Sequence, residues 1–228
     1  MSKARALVLF DIDGTLLRGA GHHHRQALIE GIRSATGVTT HLNGIATSGM
    51  LDRDLIANML ASAGYSRRRI RSELPHIMEA CQASYCATCA IDLSEFLCAG
   101  VLDTMRELKH RDAVLGLVTG NLSGIGWRKM ELAGLRSFFS VGAFAEDGST
   151  RARLARIAAL RAEKLGLVKR PCPTSLIGDH PNDVLAARLN GFRSVAVATG
   201  IPTFEELRAA EPDFLVRDLR ELDPAVLF

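Results

Sequence analysis

Apolar residues along this chain come in two patterns. Some form short unbroken runs, and others recur at helical spacing. Ala6-Leu7-Val8-Leu9-Phe10 is an unbroken run ended by Asp11 and bounded by Gly14, which predicts a buried strand. From about Gly19 to Cys98 no strand pattern appears. His22 to Ala35, Met50 to Ala63 and Arg67 to Cys89 instead carry spaced sets such as Leu28/Ile32, Leu51/Leu55/Met59 and Ile70/Leu74/Ile77, and read as helices. After Gly100 the two patterns alternate. Helices are expected over Val101 to His110, Asn121 to Ala133, Thr150 to Leu165 and Pro181 to Leu189. Strands are expected at Ala113 to Val118, Ser140 to Phe144, Thr174 to Ile177, Ser194 to Ala198 and Asp213 to Val216. Strands alternating with helices imply a parallel sheet covered on both faces. The fold class is therefore α/β, a mostly parallel sheet with an inserted α-helical domain. Residues 1–18 and 99–228 form the expected core and 19–98 the helical insert. Arg18-Gly19-Ala20-Gly21 and Cys98-Ala99-Gly100 are its hinges.

Composition narrows the class. The 228 residues are 47% hydrophobic and 23% charged, ordinary for a globular protein with ample core. A formal charge of +3 indicates neither a nucleic-acid groove nor a polybasic membrane patch. The five cysteines are an odd number in a chain too long to need disulfides. With no signal-peptide pattern and no run of membrane-spanning length, a cytoplasmic location is expected. No nucleic acid or membrane is expected as a partner, and monomer and homodimer both remain compatible.

The chemistry gathers at three strand ends. Asp11 and Asp13 follow the first strand, where open α/β sheets place their ligand crevices, and would share a face if extension persisted. A paired aspartate emerging from a dry strand is costly unless it binds a cation or does chemistry. Thr119-Gly120-Asn121 follows the second strand where a helix begins, so backbone N–H groups and the Thr119 hydroxyl can hold an anion. Asp179 and Asp183 follow a later strand, with Pro181 suited to the first turn of a helix. Four convergent carboxylates would repel one another without a divalent cation, and an oxygen-only set suits Mg²⁺.

The order DxDGT (Asp11 to Thr15), TGN (Thr119 to Asn121) and GDxxxD (Gly178 to Asp183) resembles the haloacid dehalogenase superfamily. Ser48 to Arg53, Phe144 to Arg151 and Pro212-Asp213 extend the resemblance to a phosphoglycolate-phosphatase-like branch. The resemblance implies a doubly wound, Rossmann-like core with a helical cap after the first strand, and a Mg²⁺-dependent phosphomonoester hydrolase acting on a small phosphorylated metabolite. It makes Asp11 the nucleophile that forms an aspartyl-phosphate and Asp13 the acid/base. Asp11, Asp179 and the Asp13 carbonyl become the metal ligands, with Asp183 in support. Thr119, Gly120 and Asn121 bind the phosphoryl group, and Asp52 and Arg53 belong to an insert loop that dips toward the site; their other reading is an ordinary helix start.

One position departs from the family pattern. The usual Lys, often before Pro, is missing between Phe144 and Leu165, and counting back lands near Arg151. Arg151 is the expected replacement, ahead of Arg153, Lys129 and Lys164. The chain has no Lys from Ala4 to Leu108, so the insert offers no amine for Schiff-base phosphonate chemistry and lacks the insert Lys of the phosphosugar mutases. Asp13 argues against dehalogenation. The alternative function is a catalytically weak phospho-ligand-binding or regulatory module.

Three other features have competing explanations. His22-His23-His24 reads first as a solvated hinge and second as a cleft-facing patch. Cys81, Cys86 and Cys89 read as buried helix residues rather than a zinc site. His180 either orients a ligand or fills space beside Pro181.

Overall fold

The computed structural model describes residues 5–45, 47–169 and 171–228. Its sheet has six parallel strands: β1 (Ala6–Phe10), β2 (Ala113–Val118), β3 (Phe139–Ala143), β4 (Thr174–Gly178), β5 (Arg193–Val197) and β6 (Phe214–Val216). Their order is β3-β2-β1-β4-β5-β6. Every residue of β1 and β2 is buried, as expected of strands covered on both faces, and this is why they read as unbroken apolar runs. The order reverses direction at β1, the position where such sheets open a crevice. Register then assembles the site. Phe10 lies beside Leu117 of β2 and Ile177 of β4, so Asp11, Thr119 and Asp179 emerge at one edge.

The helices are α1 (Gly21–Thr36), α2 (Asp52–Ser62), α3 (Arg67–Thr88), α4 (Val101–His110), α5 (Ser123–Leu132), α6 (Arg151–Lys164), α7 (Pro181–Leu189) and α8 (Phe204–Ala209). Helix α8 has no counterpart among the elements expected from periodicity. At six residues it is too short for a periodic stripe, although Thr203 and Glu206 form a capping box that marks its start. Helices α2 and α5 begin two residues later than expected, because Leu51 and Leu122 are extended.

Helices α1 to α3 lie between β1 and α4 in the chain. Where α1 meets α3, a side chain at Gly31 would overlap the Cys81 backbone, so glycine sets their close approach. The segments leading into and out of these helices pair with each other. Leu17 and Leu97 form an antiparallel bridge, Arg18 N donates to Phe96 O (2.8 Å) and Cys98 N donates to Leu16 O (2.9 Å). Cys81 and Cys89 are buried in this region, but Cys86 is exposed, which corrects the expectation of three buried cysteines. All five cysteines are free thiols. Among the described residues no helix is long and apolar enough to cross a membrane.

Candidate active site

Asp11 leaves β1 with its N–H donating to Ile177 O (3.0 Å), which fixes its direction at the sheet edge. Its carboxylate is buried and accepts from Arg151 Nη1 (Oδ1, 3.1 Å). The same guanidinium donates to Val118 O (3.3 Å), and its Nε lies 3.2 Å from Asp183 Oδ1. Arg151 is the first residue of α6, with Thr150 as its N-cap, and is itself buried. Of the four basic residues that could fill this position, Arg151 is therefore the one against the Asp11 carboxylate. Arg153 and Lys164 are exposed.

Asp11, Asp179 and Asp183 offer carboxylate oxygens that lie within 4.8 Å of one another, and all three side chains are buried. Burial, reinforced by Asp11 and Asp183, raises the Asp179 carboxyl far above the ordinary carboxylate range. Asp183 is raised too, by burial against the opposing pull of Arg151. Thr15 Oγ1 donates to Asp179 Oδ1 (3.1 Å). Asp183 Oδ2 accepts from His180 N (3.2 Å), so this oxygen caps α7, while Oδ1 makes no hydrogen bond and faces the Arg151 guanidinium only as an ion pair. Three glycines make the cradle: a Cβ at Gly14 or Gly200 would overlap the Asp179 carboxylate, and one at Gly178 the Asp183 carboxylate. A buried, under-satisfied, all-oxygen set of this kind fits a hard divalent cation such as Mg²⁺.

The Asp13 carboxylate stands apart from that group. Lys129 Nζ donates to its Oδ1 (2.7 Å) and Oδ2 (2.6 Å), and Asn121 Nδ2 donates to Oδ2 (2.8 Å). Partial burial acts to raise the Asp13 carboxyl, but Lys129, His24 and Asn121 together hold it below its ordinary value. The expectation of four mutually repelling carboxylates is thus corrected. Three converge, and the fourth is neutralised by a lysine whose own side chain is fully buried.

Lys129 is the site residue least legible in the sequence. It rides α5 one turn after the buried Ile125, so a lysine on a core-facing stripe was the available signal. Its ammonium also bonds Asn121 Oδ1 (2.7 Å) and His24 Nδ1 (3.2 Å). His24 Nε2 lies 2.9 Å from Asp52 Oδ2. These partners assign the imidazole as acceptor at Nδ1 and donor at Nε2. The first reading of the histidine run as a solvated hinge is corrected for His24, whose side chain is only 12% exposed, while His22 is exposed.

Asp52 opens α2, and its carboxylate also accepts from Leu122 N (2.8 Å), while its own N–H donates to Gly120 O (2.8 Å). Arg53 is turned elsewhere, with its Nε 3.5 Å from Asp54, and does not line the cleft. Thr119 is fully buried, and its hydroxyl accepts from Asn121 Nδ2 (2.7 Å) and Asn121 N (3.3 Å). The amides that begin α5 are already taken: Leu122 N by Asp52, Ser123 N by Glu146 (3.0 Å) and Gly124 N by Gln82 (2.6 Å). The expected phosphate-binding residues Thr119, Gly120 and Asn121 lie in the loop before these amides and line the cleft. His180 Nδ1 accepts from Asn182 N (3.1 Å), and a Cβ at Gly49 would strike the His180 ring. His180 thus caps α7 and seats the insert loop.

These groups surround a cleft of about 610 Å³, with Asp11, Asp13, Thr119 and Arg151 contributed by the strand ends and α6, and His24 and Asp52 by the insert. Apolar Leu17, Leu28, Leu55 and Ile201 complete its walls.

Comparison with known proteins agrees with this architecture. Pyrophosphatase PpaX of Bacillus pumilus is 30% identical over 122 residues, covering 54% of this chain and 56% of that protein. Phosphoglycolate phosphatase of Escherichia coli is 28% identical over 131 residues, covering 58% of this chain and 51% of that one. The chain thus spans about half the length of the curated relatives it matches. Among solved structures, CbbY of Rhodobacter sphaeroides in complex with phosphate superposes with a TM-score of 0.69 at 24% identity, covering 96% of both chains. A β-phosphoglucomutase of Clostridium difficile gives 0.70 at 17% identity, over 96% of this chain and 93% of that one. Both share the fold. The haloacid dehalogenase-like hydrolase family model matches residues 6–191, and the chain belongs to that family.

Proposed function

We propose that the protein is a Mg²⁺-dependent phosphomonoesterase for a small phosphorylated metabolite, working through an aspartyl-phosphate on Asp11. The observation that carries this reading is the Asp11 carboxylate, held by Arg151 in a cleft that Asp13 and Thr119 also line. Asp11 Oδ attacks phosphorus, and the ester P–O bond breaks. The departing oxygen takes a proton from Asp13. In the second half, Asp13 accepts a proton from water as that water attacks phosphorus, and the bond from phosphorus to Asp11 breaks to release inorganic phosphate. The Thr119 hydroxyl, the Gly120 and Asn121 loop and the Arg151 guanidinium hold the phosphoryl oxygens as charge shifts onto them.

Asp11, Asp179 and the Asp13 carbonyl are the residues that would hold Mg²⁺, with Asp183 in support; when bound, the ion supplies positive charge that offsets the phosphoryl oxygens. Residues 19–98 act as a cap over the core of 1–18 and 99–228. A walled cleft of this size suits a small soluble ester rather than a polymer. Phosphoglycolate leads the substrate candidates, followed by sugar phosphates and nucleoside monophosphates. Release of phosphate from p-nitrophenyl phosphate with Mg²⁺ tests the reading: wild type should turn over and Asp11→Asn should not. Unchanged release by the variant removes Asp11 as nucleophile. No release by wild type favours a binding module on the same fold.

A further inference from the structure

Lys129 is fully buried, yet it reaches Asp13, a cleft carboxylate that stands outside the Asp11, Asp179 and Asp183 group. Its ammonium spans both Asp13 oxygens, at 2.7 and 2.6 Å, and Asn121 adds a third hydrogen bond to Oδ2. A carboxylate gripped at both oxygens from one side has little freedom to rotate. The ammonium also meets His24 Nδ1 at 3.2 Å, and His24 Nε2 meets Asp52 Oδ2 at 2.9 Å. Asp52 returns to the core by accepting from Leu122 N at 2.8 Å, immediately before the helix that carries Lys129. The path thus runs from Asp13 through a core lysine to two residues of the insert, and back to the lysine's own helix.

We infer that Lys129 is the positioning residue of Asp13, and that the insert sets it through His24 and Asp52. The inference rests on the acid/base role proposed for Asp13. Lys129 does not touch the reacting atoms. It fixes the carboxylate that serves the leaving oxygen, and His24 keeps the ammonium aimed at that carboxylate only while the insert is seated.

Leaving-group dependence separates positioning from a general structural role. Phenolate leaves without much proton donation, whereas an alkoxide needs it. The test compares kcat/KM for p-nitrophenyl phosphate with that for an alkyl phosphate such as glycerol 2-phosphate, in wild type and Lys129→Met. Asp13 opens onto the cleft with a 41% exposed side chain, so water can solvate it when the lysine is gone. The alkyl substrate should lose about tenfold more than the aryl one, a fraction of the effect of a general acid. His24→Ala should shift the ratio the same way by about threefold, in proportion to removing one contact of the lysine. This second variant decides between the two roles should Lys129→Met not fold. Equal losses on both substrates, or an unchanged ratio in His24→Ala, overturn the inference while leaving the phosphatase reading intact. A wild type inactive on both substrates overturns the phosphatase reading, and the inference with it.

Discussion

Arg151 Nη1 lies 3.1 Å from Asp11 Oδ1, with both side chains buried. The family's usual lysine is a single point charge. The guanidinium here reaches Asp11 through Nη1 and Asp183 through Nε, at 3.2 Å. One planar group therefore braces two acids of the cluster, which a lysine cannot do with the same geometry.

Arg151→Ala leaves Asp11 and Asp183 buried without that counter-charge. Removing one partner of a buried pair costs about 3 kcal/mol. Urea unfolding should show a loss of this order, and phosphatase activity should disappear with it. Arg151→Lys should recover more of the stability than of kcat/KM, because charge is retained and geometry is not.

The three-acid cluster predicts a pH-dependent response to metal. Burial, with Asp11 and Asp183 adjacent, pushes the Asp179 carboxyl up to about 8. In the unfolded chain the same carboxyl loses its proton near 4. Between those values the folded state binds more protons than the unfolded one, so its stability falls as pH rises. The contribution is fully present below about 4 and is lost as pH passes through about 8. The metal-free protein should accordingly melt lower at pH 8 than at pH 5. Mg²⁺ needs ionised carboxylates, so the rise in Tm on adding it should be larger at pH 8. An equal rise at both values would count against a carboxylate metal site.

Gly14→Ala should weaken Mg²⁺ binding selectively. The glycine has φ +91°, and a Cβ there would enter the space of the Asp179 carboxylate. Calorimetric titration with Mg²⁺ should show at least a tenfold loss, roughly the scale seen when support for a metal ligand is removed.

The insert loop makes a separate contact that can be tested. Gly49 has φ +69°, and a Cβ at this position would strike the His180 ring. Asn182 Nδ2 also donates to Gly49 O (3.3 Å). Gly49→Ala combines left-handed strain of about 1 kcal/mol with a steric conflict. KM for phosphate esters should rise several-fold, because the loop lines the cleft, and urea unfolding should show a loss of about 1 kcal/mol.

Much of the fold was readable in the chain because burial leaves a mark on sequence. Strand β2 and helix α4 were expected at the residues where they occur, Ala113–Val118 and Val101–His110. A strand covered on both faces must be apolar throughout, and a helix on the sheet must carry a spaced stripe. Asp11, Thr119 and Asp179 were legible for a related reason. Polar groups directly after buried strands stand out, and parallel order brings such ends together. Helix α8 leaves no such mark, because six residues are too few for periodicity.

Pairing of charges was not legible. Lys129 and Asp13 are 116 residues apart, and His24 and Lys129 are 105 apart. The place of Lys129 on the core-facing stripe of α5 marks it as unusual, but nothing local names the distant carboxylate it reaches. The same holds for Asp52, whose capping-type position hid a bond to Leu122 N, and for Arg53, its neighbour, which turns to Asp54 instead.

By itself, then, the sequence determined the layered α/β class, the helical insert after the first strand and the three polar strand ends, since all of these follow from periodicity and burial. Only the tertiary structure decided which cation meets which acid: Arg151 with Asp11 and Asp183, and Lys129 with Asp13 and His24. Electrostatic partners are chosen by proximity in space and by the cost of leaving a buried charge alone, and neither quantity is written in the spacing of residues along a chain.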